Sequence, residues 1–174
     1  MVPGAVRRLA WGARWAGAGL VERFVPEEIE ETIVGAAAPE VMGKPVSSYA
    51  KFREETIDVW AVGPGLGKSR AHEIIDLIRS AKAPMVIDAD GLNAVAAAPE
   101  TLLKRVGRVT LLTPHPGEMA RLAGCSIPEV EADRIGTARE FATRFKVYLI
   151  LKGARRIIAA PDGSIAINGS GNPG

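Results

Sequence analysis

Residues 57–168 predict an α/β domain with a mostly parallel sheet and a C-terminal β-hairpin, and three observations point there. Short apolar runs alternate with segments of helical period. The runs 57–62, 85–87, 109–112 and 147–151 are almost continuously apolar rather than alternating, as in parallel strands buried on both faces. Near the end, 156–160 and 164–168 flank Asp162-Gly163, a hairpin turn pair.

From the start, Val6, Leu9, Ala10 and Ala13 have helical spacing, and Gly17-Ala18-Gly19 ends that helix. Residues 20–25 read as a strand closed by Pro26. Residues 26–38 read as a weak helix, with Glu27 and Glu28 suited to the positive end of its dipole. Residues 41–50, carrying Gly43, Pro45 and two serines, read as a loop. After strand 57–62 and a glycine turn, 70–80 form a helix with Ala71, Ile74, Ile75 and Ile78 on one face. Strand 85–87 leads to a short helix, a second near 99–105, and strand 109–112. A helix ends at Ala123, and one helix of about 130–145 carries Ile135, Phe141, Ala142 and Phe145, ahead of strand 147–151. The chain shows no repeat, low-complexity stretch or linker, so 1–174 is expected to be a single domain.

Composition narrows the function classes. The 174 residues are 47% hydrophobic, against disorder. A formal charge of +2 with interspersed signs, and two tyrosines without basic-aromatic interleaving, argue against a nucleic-acid partner. No apolar run reaches membrane-span length, and Arg7, Arg8 and Arg14 interrupt the N-terminal apolar stretch, so neither a membrane partner nor a signal peptide is expected. Cys125 is the single cysteine, which fits a reducing, cytoplasmic compartment. The two histidines, His72 and His115, form no metal-ligand spacing with it.

The chemistry is expected in four loops, each directly after a parallel strand: 63–67, 88–93, 113–118 and 152–154. Open α/β sheets bind ligands at the carboxyl ends of their strands, so these loops should meet at one crevice. Gly63-Pro64-Gly65-Leu66-Gly67-Lys68-Ser69 is neither a Walker loop, which needs glycine where Val62 stands, nor a dinucleotide fingerprint, which needs glycine at Lys68. Its small residues still let backbone approach a ligand, or simply make a tight turn. Asp88 and Asp90, with Asn93 behind them, suit magnesium, water or a ligand hydroxyl, or helix capping by Asp90. His115 lies between two prolines, where it can hydrogen-bond a ligand or serve structure, and Pro116 can open the helix that Glu118 continues. Lys152 ends an apolar strand and precedes Gly153.

These loops resemble the motifs of the ADP/ATP-dependent NAD(P)H-hydrate dehydratases, a branch of the ribokinase-like superfamily. The resemblance rests on VWAVGPGLGKS (59–69), MVIDADGLNAV (85–95), LLTPHPGEMARLAG (111–124) and LILKGARRIIAAPDGSIAINGSGNPG (149–174), with GARWAGAGLV (12–21) similar to the family's first helix and strand. It implies a ribokinase-like three-layer sandwich, assembled as a homo-oligomer. The implied substrate is hydrated NADH or NADPH, whose ring hydroxyl is phosphorylated from ADP or ATP with Mg2+ before phosphate is eliminated. Matched residue by residue, Gly65, Gly67, Asp88, Asp90, Asn93, His115, Pro116, Gly117, Glu118, Met119, Ala120 and Arg121 fall in the substrate segments. Lys152, Gly153, Ala154, Arg155, Arg156 and Asn172 fall in the nucleotide segment. Arg156 stands where the family usually has threonine. Asn172-Pro173-Gly174 leads, in the family, into a turn bearing the general-base aspartate. No catalytic base is therefore assigned, the chain reads as cut short at both ends, and its expected activity is impaired or absent. Two alternatives accompany this reading: another ribokinase-like kinase of hydroxymethylpyrimidine or thiazole alcohols, and an inactive nucleotide-binding module.

Overall fold

The computed structural model describes residues 10–27, 41–49, 57–67 and 69–170. Two sheets organise them. A two-stranded parallel sheet pairs β1 (Val21–Pro26) with β2 (Val41–Val46). A six-stranded sheet runs in the order β3 (Trp60–Val62), β4 (Met85–Ile87), β5 (Thr110–Leu112), β6 (Tyr148–Leu151), β7 (Arg156–Ala159) and β8 (Ile165–Asn168). Strands β3 to β6 are parallel, and β6, β7 and β8 are successively antiparallel. The expected α/β class, parallel core and terminal hairpin are therefore all present.

Strand order equals sequence order from β3 to β6, with no reversal. Right-handed crossovers then place every connecting helix on the same face. Those helices are α1 (Ala71–Ser80), α2 (Asp90–Ala97), the 3-10 turn Pro99–Arg105, α3 (Pro116–Ala123), α4 (Ile127–Ala132) and α5 (Arg134–Phe145). Burial agrees. Trp60, Val62, Met85, Ile87, Leu112, Leu149, Leu151, Ile157 and Ala159 are buried, in one core with Ile74, Ile78, Leu92, Leu102, Met119, Val130 and Phe141. The alternate strand positions, Ala61, Val86, Leu111, Tyr148, Ile150, Ile158 and Ala166, are exposed or half-buried. The described residues thus form the sheet and one helical layer of the sandwich.

The small sheet joins this core at β3, where the Phe24 and Trp60 rings lie 5.7 Å apart. Buried Tyr49 donates its hydroxyl to the Phe24 carbonyl at 3.4 Å. β2 corrects the expectation of a loop over 41–50. Local propensity disfavours a strand with Gly43 and Pro45, but main-chain pairing with β1 overrides it, and Pro45 lies in an edge strand, where a missing N–H is tolerated. Strand 57–62 is shorter than expected, beginning at Trp60. Residues 10–15 are helical, as expected, whereas Val6, Leu9 and most of the 26–38 helix lie outside the described residues.

The single helix expected over 130–145 is two. Ser126 opens α4 with a capping box closed by Glu129, and Asp133 breaks the chain and caps α5 by accepting the Gly136 N–H at 2.8 Å. Ile135, in the first turn of α5, is 37% exposed, whereas Phe141, Ala142 and Phe145 are buried.

Candidate functional site

The four loops at the carboxyl edge of β3 to β6 are bonded to one another. After β3, the turn closes with Leu66 N–H on the Gly63 carbonyl at 3.2 Å. The Gly67 N–H donates to the Asp90 carboxylate at 2.9 Å, tying this loop to the next. Gly63 itself lies against that neighbouring loop. Its φ is +133°, and a Cβ there would stand 1.6 Å from the Asp88 carbonyl oxygen. Lys68 lies outside the described residues.

After β4, Asp88 and Asp90 divide the work. Asp90 opens α2 but makes no side-chain cap; its carboxylate serves Gly67 instead. Asp88 pairs with the Lys152 ammonium at 2.6 Å, across the sheet edge from β4 to β6. Between them Ala89 has φ 49° and ψ −119°, a conformation that residues with a Cβ rarely adopt and that persists only where the surroundings enforce it. Asn93 accepts from Arg121 Nε at 3.0 Å, joining α2 to α3.

After β5, His115 is the N-cap of α3. Its Nδ1 accepts the N–H groups of Gly117 at 3.0 Å and Glu118 at 3.3 Å, while the buried Glu118 carboxylate accepts the His115 N–H at 2.8 Å. With Nδ1 accepting, a neutral imidazole carries its proton on Nε2, and the ring remains about half exposed at the loop surface. Nε2 lies 3.5 Å from Glu118 Oε1, so both ring nitrogens face groups of the α3 cap, while the exposed half of the ring borders the loop surface. Pro116 fills the first helical position, as expected. Met119 and Ala120, expected within the substrate segment, turn into the core, at 0% and 5% exposure, because the helical period carries them away from the loop face. Arg121 stays exposed at the edge.

After β6, Lys152 is held from several sides. Its N–H donates to the Pro114 carbonyl at 2.8 Å, its ammonium meets Asp88, and its carbonyl accepts from Arg134 Nη2 at 3.0 Å. Gly153 and Arg155 both have positive φ, +122° and +54°. Gly153, Ala154 and Arg155 are exposed, and Arg156 begins β7, opposite Asn168. Asn172 lies outside the described residues.

Sequence reasoning did not single out Glu73. It accepts the Ser48 hydroxyl at 2.7 Å and the Tyr49 N–H at 2.8 Å, fastening the residues after β2 onto the first turn of α1. Burial pushes its carboxyl up, but the Ser48 and Tyr49 hydrogen bonds and the charges of Arg70 and His72 outweigh it, holding the carboxyl below its usual 4.5. A depressed folded value stabilises above the unfolded value and is lost as pH falls through the folded one. Glu73→Gln should therefore lower Tm at neutral pH and reduce the fall in Tm below about pH 4.5. An unchanged acid limb in thermal melts would contradict this role.

No group of three or more His, Cys, Asp or Glu poised for a metal occurs among the described residues. The edge does offer hard oxygen donors in Asp88 and Asp90, the chemistry Mg2+ takes when substrate phosphates supply most of its shell. No described helix is long and apolar enough to cross a membrane.

The NAD(P)H-hydrate dehydratase family model matches residues 1–174. The chain is 44% identical, over 86% of its length, to the bifunctional NAD(P)H-hydrate repair enzyme of Thermofilum pendens, covering 28% of that protein. It is 37% identical, over 98% of its length, to the ADP-dependent (S)-NAD(P)H-hydrate dehydratase of Neisseria meningitidis, covering 58%. In structure it is similar to the ADP/ATP-dependent NAD(P)H-hydrate dehydratase of Bacillus subtilis co-crystallised with ATP and Mg2+, with TM-score 0.79, 29% identity, and coverage of 98% of this chain and 60% of that one. The chain thus spans about a third or less of the bifunctional relatives and about three fifths of the single-function ones. A ribokinase-like superfamily protein of Enterococcus faecalis shares the fold, at TM-score 0.74 and 20% identity. Four bonded loops at one sheet edge, a family match along the whole chain, and this structural likeness together establish that the chain belongs to the NAD(P)H-hydrate dehydratase family.

Proposed function

We propose that this chain serves the nucleotide-dependent dehydration of hydrated NADH and NADPH. The ring hydroxyl gives up its proton and takes a phosphoryl group from ADP or ATP, releasing AMP or ADP. Phosphate then leaves as the ring nitrogen pushes its electron pair into the ring, and the adjacent ring carbon loses a proton to restore the double bond. The observation that carries the reading is the convergence of the four loops, pinned across the sheet by the Lys152–Asp88 pair. In this scheme Gly65, Gly67, Asn93, His115, Gly117 and Arg121 border the hydrate. Lys152, Gly153, Ala154 and Arg155 border the nucleotide phosphates, to which a lysine and exposed backbone N–H groups are suited. Mg2+, when bound, offsets charge on the transferred phosphoryl group, with Asp88 or Asp90 as its protein ligand. The carboxylates at the edge already hold loops together: Asp88 holds Lys152, Asp90 holds Gly67 and Glu118 holds His115. None of them is offered as the general base.

The family match gives no support to the alternative of a vitamin-precursor kinase. Tyr49 belongs to the same core as Trp60 through Ala159, with Phe24 and Val46 packed against it, which supports treating the chain as one domain. Homo-oligomeric assembly and a cytoplasmic location complete the proposal, the single cysteine supporting the latter.

The test is titration of the chain with ADP, ATP and hydrated NADH. The expected result is saturable binding of nucleotide and of hydrate, with Lys152→Met weakening nucleotide about tenfold or more through loss of a charge-assisted contact. Absence of both bindings in a folded chain would remove the proposal.

A further inference from the structure

Arg134 opens α5 and was not marked by any sequence pattern. Its guanidinium reaches the 152–154 turn: Nη2 donates to the Lys152 carbonyl at 3.0 Å, and Nη1 stands 3.6 Å from Glu131. The group also lies flat against Gly153. A Cβ on that glycine would stand 2.9, 3.1 and 3.3 Å from Nη2, Nη1 and Cζ. Its Nε is buried without a hydrogen-bond partner. An arginine choosing its own best hydrogen bonds would not leave a buried donor empty. The contact with Gly153 and the Lys152 carbonyl accounts for where it sits.

We propose that Arg134 is the positioning residue of the 152–154 turn, and that affinity for the phosphoryl-donor nucleotide, but not for the hydrate, depends on it. The inference rests on the nucleotide reading above. Three bonds fix Lys152: its N–H on Pro114, its ammonium on Asp88 and its carbonyl under Arg134. Gly153 takes a positive φ that glycine adopts freely, and Arg155, which carries a Cβ, takes a left-handed backbone angle that persists only when the surroundings hold it. Two of the three bonds come from loops on the substrate side; Arg134 alone holds the turn from the α5 side among the described residues. Removing it frees the Lys152 carbonyl and uncovers Gly153, so the turn samples other conformations and nucleotide binding must order it again. The hydrate side, held by Gly67–Asp90 and the His115 cap, keeps its own bonds.

The experiment titrates ADP, ATP and hydrated NADH, in parallel, against the full chain, Arg134→Ala and Arg134→Lys, with a thermal melt of each. Both variants should bind nucleotide about tenfold or more weakly and hydrate within about twofold of the parent. Lysine should not rescue, because one ammonium cannot both donate to the Lys152 carbonyl and lie flat on Gly153. Parental nucleotide affinity in Arg134→Ala overturns the proposal, as does equal weakening of both ligands, and as does full rescue by lysine, which would leave only charge. If Arg134→Ala does not fold, Arg134→Lys, which keeps the aliphatic stem, carries the same readout. A parent chain that binds hydrate but no nucleotide overturns the nucleotide reading, and this proposal with it; the parent curve separates that outcome from a failure of Arg134 alone.

Discussion

Gly63→Ala should lose about 4 kcal/mol or more of stability, or fail to fold, and should lose ligand binding with it. Two independent demands meet at this residue. Its φ of +133° is closed to a residue with a Cβ, and that Cβ would fall 1.6 Å from the Asp88 oxygen, 2.7 Å from its carbonyl carbon and 2.9 Å from the Gly91 nitrogen. All three are backbone atoms, so no side chain can swing aside; the ends of β3 and β4 would have to separate. Gly91 approaches from the other side, where its own Cβ would meet the Val62 carbonyl at 2.9 Å. Gly67→Ala is the control. Its φ is +71°, but nothing lies within 4 Å of the added carbon, so the cost should stay near about 1 kcal/mol. Thermal melts of both variants decide the matter. A Gly63→Ala midpoint within about 3 °C of the parent would show that the two loops are not in contact.

Arg105→Met should be the most damaging change far from the loops, at about 3–5 kcal/mol. Arg105 is 1% exposed at the opposite end of the sheet. Its guanidinium donates to the carbonyls of Ile78 at 2.9 Å, Ala81 at 2.6 Å and Ala83 at 2.8 Å, while Nε donates to Thr110 Oγ1 at 2.9 Å. It therefore closes the C-terminus of α1, where unpaired carbonyls and the helix dipole attract a cation, and fixes the 3-10 turn to β5. Methionine fills the volume but leaves buried acceptors without donors, the costly half of the exchange. Arg108 reaches only the Ala81 carbonyl, at 2.9 Å, so it cannot stand in for the whole fork. Urea unfolding should show a lower midpoint with an unchanged slope. A shift of less than about 1 kcal/mol would mean water satisfies those carbonyls, contrary to their burial.

What the sequence made legible follows from where the information is local. Apolar runs such as Met85-Val86-Ile87 announce buried strands, and unusual loops after each strand announce the edge where those loops gather. Parallel order then brings the loops together. β2 was not legible because Gly43 and Pro45 contradict a strand locally and only pairing with β1 makes one. The α4–α5 break does carry local signals: Ser126 with Glu129, then Asp133 ahead of Gly136, are start signals. The site residues divide the same way. Lys152, Asp88 and His115 could be read from their loops, but that Asp90 serves Gly67 rather than its own helix, and that Met119 faces the core, depends on distances between elements. Arg134 and Arg105 carried no sequence signal, since an arginine on a helix is ordinarily a surface residue and only the packed structure shows the carbonyls it meets.

The one-sided helical layer has a consequence for solution behaviour. Because strands β3 to β6 follow one another without a reversal, no connection between them can cross to the other face. Tyr148, at 42% exposure, and Ile158, at 37%, mark an apolar sheet surface there, alongside Val86, Leu111 and Ile150. Among the described residues, none of the helices that follow β3 lies over this face. Handling of the protein should reflect this: detergent or a high protein concentration should change its light scattering more than salt does, since this surface is apolar rather than charged.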